Sequence, residues 1–108
     1  MATAIVTNHA KQRTKDRLGV SKKIADKIAN KALEHGITHA LTKGKLKSYL
    51  DKLYLSHKSA NNLRIYNRKV YLFDKTVLIT VLNLPNNLTN AADKLQRQKE
   101  KEIIRHLR

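Results

Sequence analysis

Residues 63–84 read LRIYNRKVYLFDKTVLITVLNL, and this stretch decides the fold. Three runs, Leu63–Tyr66, Val70–Phe73 and Thr76–Leu84, are rich in Val, Ile, Leu, Tyr and Phe. Such residues suit a pleated, half-buried surface and alternate with a period of two. Asn67-Arg68 and Asp74-Lys75 stand between the runs, where tight turns belong. The stretch therefore predicts a three-stranded antiparallel meander, closed by Pro85-Asn86-Asn87.

Upstream, the apolar period changes to that of a helix, and glycine occurs only at positions 19, 36 and 44. Thr7-Asn8 can cap a short helix over about 9–18, which Gly19 stops. Ser21 can cap a second helix with Ile24, Ala25, Ile28, Ala29, Ala32 and Leu33 along one stripe, ended by Gly36. Thr42 and Gly44 precede a third, with Leu46, Tyr49, Leu50, Leu53 and His57 on one side, and Ser59 to Asn62 reads as a loop. Beyond the meander, Thr89 can cap a mostly polar last helix running through Leu95, Ile103 and Leu107. Helices, then a run of strands, then a helix is the α+β pattern. The expected organisation is one domain over 1–88 with a C-terminal helical extension over 89–108.

The chain has 108 residues, 41% of them hydrophobic, enough for one modest core. It lacks cysteine, which removes disulfides, thiolate metal ligands and thiol nucleophiles and suits a reducing compartment. No apolar run approaches the roughly 20 residues needed to span a bilayer. Residues 1–6 are too short for a signal peptide and lack its charged leader. The formal net charge is +15, heaviest in residues 1–62, where thirteen basic residues face four acidic ones. Self-repulsion of this size opposes compaction, so a polyanion is the natural partner: a nucleic acid, RNA ahead of DNA. No segment pairs Lys and Arg with a Trp, Phe and Leu face, so no membrane partner is expected.

Three groups of residues can carry chemistry. His9, Arg13 and Arg17 recur at i, i+4 and i+8, which stacks them on one helix face. Histidine transfers protons near neutral pH, and arginines can grip a phosphate and stabilise charge on a phosphorane. Metal-independent RNA cleavage needs those parts; a solvated basic face has the same spacing. Lys23, Lys27 and Lys31 form a second stripe, on the side of the second helix opposite Ile24 and Ile28, suited to tracking a backbone or simply to facing solvent. On the strands, Tyr66, Tyr71 and Phe73 can stack on bases or fill a core, and Arg68 adds a cation at a turn. Arg64 and Tyr66 share one parity, and Thr80 places a hydroxyl inside an apolar run. His35 and His39 lack a carboxylate cluster and Gly36 falls between them, so no metal site and no cofactor are expected.

The segments Thr7-Asn8-His9-Ala10, Arg13 and Arg17-Leu18-Gly19 resemble the opening of a group of small phage and prophage proteins. Asn62 to Tyr66, Val70 to Phe73 and Leu78 to Pro85 look like the same group, so the resemblance covers about residues 5–88. The layout of that group looks like the barnase, colicin tRNase and RelE-like nuclease superfamily. The resemblance implies an enzyme, a metal-independent endoribonuclease acting on tRNA or mRNA in the cytoplasm of a bacterial host. It implies His9 as proton-transfer group, Arg13 and Arg17 on phosphate, and Arg64, Tyr71 and Thr80 as the sheet's contribution, converging in one cleft. The superfamily's general-base glutamate has no counterpart, since Glu34, Glu100 and Glu102 all fall on predicted helices. The alternative is a non-catalytic phage protein that binds nucleic acid or inhibits a host protein or ribonucleoprotein; it predicts a broad basic face and no convergent pocket.

Overall fold

The computed structural model describes residues 4–106 and is an α+β fold. In chain order the elements are β1 (Ile5–Val6), α1 (Asn8–Leu18), α2 (Lys22–His35), β2 (Ile37–Thr38), α3 (Gly44–Ser56), β3 (Asn62–Tyr66), β4 (Lys69–Asp74), β5 (Val77–Asn83) and α4 (Thr89–His106). The expected meander is the centre of a five-stranded mixed sheet ordered β1-β5-β4-β3-β2. β2 adds an antiparallel edge against β3, and β1 pairs parallel with β5 through Ile5 opposite Val77 and Val6 opposite Leu78.

The turns follow from local chemistry. Asn67 and Arg68 both have positive φ (48° and 64°), the two-residue arrangement whose twist matches antiparallel strands. Arg68 tolerates it while its guanidinium grips Asp93 of α4 at 2.8 and 3.0 Å. The second turn falls one residue later than expected, on Lys75 and Thr76, because the Asn61 side chain anchors it: its Oδ1 accepts the Lys75 amide and its Nδ2 donates to Asp74. Asn62, expected in a loop, opens β3 instead.

Helices cover both faces of the sheet. α1 and α2 pack Ala10, Ala29, Ala32 and Leu33 against Tyr71, Phe73, Leu78 and Val81. On the other face Leu46 and Leu50 of α3 and Ala92 of α4 pack against Ile37, Leu63, Ile65, Val70 and Leu72. The buried stripe of α2 is built on alanines, and Ile24, expected inside, is 46% exposed. Small side chains let this helix approach the sheet closely. Gly36 belongs to the same fit: a Cβ there would lie 2.3 Å from the Ala32 carbonyl oxygen and 3.1 Å from the Arg64 Cβ.

α4, expected as an extension, gives Ala92 and Leu95 to the core, and Lys99 Nζ donates to the Gly36 carbonyl at 2.7 Å. Thr89 opens this helix, but its hydroxyl donates to the Asn86 carbonyl rather than accepting an amide, because a short 3₁₀ turn over Asn86–Leu88 leads straight in. Leu107 lies outside the described residues. Among the described residues, no helix is long and apolar enough to cross a membrane.

Candidate nucleic-acid cleft

The position of α1 creates the site. β1 pairs with only the first two residues of β5. At Thr7 the chain then turns into a helix, with the Thr7 hydroxyl accepting the Ala10 amide at 3.1 Å. α1 runs on along β5, taking over the edge that β1 leaves. Gly19, with φ of 66°, ends it in the left-handed conformation, and its amide donates to the Lys15 carbonyl.

The side of α1 that packs down is small and polar-tolerant. Ala10 and Thr14 are fully buried, and Leu18 continues their row. His9, Arg13 and Arg17 each precede a member of that row by one residue, so they lie about 100° round the helix. That angle lifts them from the core to its rim, where all three are exposed. The helix lies at the sheet edge, so its rim reaches round to the opposite face of β5. There His9, Arg13 and Arg17 line one open cleft of about 350 Å³ with Ile79, Thr80 and Leu82 of β5 and with His57. Pockets for small ligands run from roughly 300 to 1,000 Å³.

The floor of this cleft is apolar except for the Thr80 hydroxyl, and its rim is basic. None of its described lining residues is acidic. Among the described residues, neither Arg13 nor Arg17 forms an ion pair; the carboxylates of Asp26, Asp51 and Asp93 are taken by Lys11, Lys47 and Arg68. Two unpaired guanidinium groups over an apolar floor favour a ligand with several anionic oxygens.

Arg64 and Tyr71, expected in the same cleft, lie elsewhere. Arg64 stands opposite Tyr71 across β3 and β4, whereas Thr80 stands opposite Leu72. Adjacent residues of β4 point to opposite faces, so Arg64 and Tyr71 belong to the face covered by α1 and α2 while Thr80 belongs to the other. Tyr71 is 1% exposed, and burial pushes its phenol well above the ordinary range. Arg64 is half-buried, donates to Asn62 at 2.9 Å, and is pulled below the usual guanidinium range by burial. Phe73 is fully buried and offers no stacking face, while Tyr66 is half-buried and packs partly against the same core. Arg68 is engaged with Asp93, which raises its already high pKa through the hydrogen bond and the charge.

Lys23, Lys27 and Lys31 are exposed along α2, away from the cleft. His35 and His39 fall on different elements, and His39 hydrogen-bonds Asp51 of α3.

His57 is the cleft residue that the sequence reading left without a role. It follows the last residue of α3, is half-buried, and is held by two 2.9 Å backbone bonds: its amide donates to the Leu53 carbonyl, and its carbonyl accepts the Ala60 amide. The sign in the sequence was its place in the row Tyr49, Leu53, His57, where a histidine continues an apolar stripe.

Compared with known proteins, the chain matches no family model, no curated protein and no solved structure.

Proposed function

We propose that this protein is a metal-independent endoribonuclease whose site is the cleft between α1 and β5. The observation that carries the reading is the meeting of His9, Arg13 and Arg17, from one helix, with Thr80, from a strand some seventy residues later. A solvated basic face does not require a hydroxyl and a shaped apolar floor beside it. The chemistry follows from the side chains. Arg13 and Arg17 hold the non-bridging phosphate oxygens and stabilise the charge that grows on them as the 2′-oxygen attacks. His9 accepts the proton of the 2′-hydroxyl. Thr80 donates a hydrogen bond to a phosphate oxygen. The described lining residues carry no carboxylate to hold a divalent ion, which suits a metal-free route. Arg64 and Tyr71 have no part in this reading. It places the protein with RNA in the cytoplasm of a bacterial host, in line with the resemblance to phage proteins.

The test is cleavage of mixed cellular RNA, tRNA included, in EDTA, by the wild type and by His9→Ala. Discrete fragments from the wild type, lost in the variant, are expected. The exposed stripe of Lys23, Lys27 and Lys31 favours a second reading, a non-catalytic RNA-binding protein. Intact RNA from both proteins, with a salt-dependent gel shift, would replace the first reading by the second.

A further inference from the structure

We propose that His57 is the proton donor of this cleft, the counterpart of His9; the inference rests on the ribonuclease reading above. Cleavage without a metal needs two proton transfers at different oxygens. One removes the proton of the attacking 2′-hydroxyl. The other delivers a proton to the departing 5′-oxygen, which is otherwise expelled as a strongly basic alkoxide. His9 supplies the first. Among the remaining lining residues, the arginines do not give up a proton and Ile79 and Leu82 have none to give. The Thr80 hydroxyl is a weak acid. Among the described lining residues, His57 carries the one other imidazole, the side chain suited to proton exchange near neutral pH.

Its placement fits the donor role. His57 caps the C-terminal end of α3 and reaches the same cleft as His9. His9 stands in the first turn of α1, with Arg13 next along its face. The two rings come from separate elements, α1 at the sheet edge and the end of α3 beneath the sheet, so a phosphodiester in the cleft can lie between them. The two backbone bonds of His57 fix the base of its side chain, as a positioned acid requires.

The step balances. The 2′-oxygen forms a bond to phosphorus, and its proton passes to His9. The bond from phosphorus to the 5′-oxygen breaks, and that oxygen takes the proton of His57. The products are a 2′,3′-cyclic phosphate and a 5′-hydroxyl, and the rings return to their starting states by proton exchange with water. DNA lacks the attacking hydroxyl and is not cut.

The experiment compares two oligoribonucleotides, one ordinary and one with sulfur replacing the 5′-oxygen at a single linkage. A thiolate leaves without a proton, so this substrate bypasses the donor. Wild type, His9→Ala, His57→Ala and His57→Asn are assayed on both. His57→Ala and His57→Asn are expected to lose about 10²–10⁴-fold on the oxygen substrate. On the sulfur substrate they recover to near the wild-type rate, while His9→Ala fails on both. Should His57→Ala not fold, as judged by its melting curve, His57→Asn carries the comparison. Wild-type rates for the folded His57 variants on ordinary RNA, or equal losses on both substrates, would overturn the donor assignment and leave the ribonuclease reading standing. A wild type that cuts neither substrate would remove both.

Discussion

The Thr14 hydroxyl donates to the Ala10 carbonyl at 2.8 Å, and both residues are fully buried where α1 meets β5. This pair sets the rotation of α1 and hence the direction of His9, Arg13 and Arg17. Space at Ala10 is the critical quantity. Ala10→Leu should cost about 1–3 kcal/mol through overpacking, read as a lower urea midpoint. It should also push α1 off β5, so RNA cleavage should fall by more than the loss of folded protein explains. Thr14→Val keeps the volume and should cost about 1 kcal/mol.

The arginines of the cleft should differ from the arginine outside it. Arg13→Ala and Arg17→Ala should each lower kcat by about 10²-fold, the scale for removing one donor to a developing oxyanion. Arg13→Lys should restore little, because an ammonium cannot make the paired contact.

Arg64 offers the contrast. It lies on the opposite face of the sheet and is bound to Asn62. Arg64→Gln should leave kcat/KM within about threefold of wild type, under 1 kcal/mol of barrier. A loss as deep as that of Arg13→Ala would return Arg64 to the site and refute the cleft as drawn.

The exposed lysines of α2 should matter to affinity through salt. Replacing Lys23, Lys27 and Lys31 together by Gln should flatten the plot of log binding constant against log salt. The expected change is about 0.7 in slope for each lost phosphate contact on single-stranded RNA. Filter binding across a salt series measures it, and an unchanged slope would show that this face does not meet the backbone.

Asp51 predicts an acid-side effect. Hydrogen bonds from Lys47 and His39, and then their charges, hold its carboxyl below the usual range. The unfolded chain therefore takes up the proton first as the pH drops. The stabilisation is complete above the ordinary carboxyl value of 3.8 and is lost as the pH falls through the lower folded value. Asp51 is exposed, so the effect is small. The gap in urea midpoint between wild type and Asp51→Asn should shrink between about pH 5 and about pH 3.

The meander and the helix ends were legible because single residues enforce them: Gly19 and Gly36 stop helices, and Asn67 accepts the positive φ of a two-residue turn. Neither β1 nor β2 stands out in the sequence. Two residues show no period, and their pairing depends on partners far along the chain. The α2 stripe was misread at Ile24 because hydropathy ranks isoleucine above alanine, while the close approach of helix to sheet ranks them the other way. The resemblance puts Arg64 and Thr80 in one cleft, but they lie on different strands. Which face counts as inward is set by the pairing of Leu72 with Thr80 and of Tyr71 with Arg64, and by the irregularity at Leu72 and Phe73. Side-chain parity within one strand carries no information about that register. His57 was placed on the correct side of its helix, but an apolar row gave no reason to read it as chemistry.

The docking of α1 on β5 also bears on the order of folding. The hairpins of β3, β4 and β5 close over two-residue turns and need little chain entropy. The docking of α1 on β5, which brings His9 and Thr80 to one cleft, closes a loop of some seventy residues. Long closures of this kind come late. A chain leaving the ribosome carries its arginines well before β5 emerges to seat them, so the cleft does not exist on the nascent chain until β5 has left the ribosome.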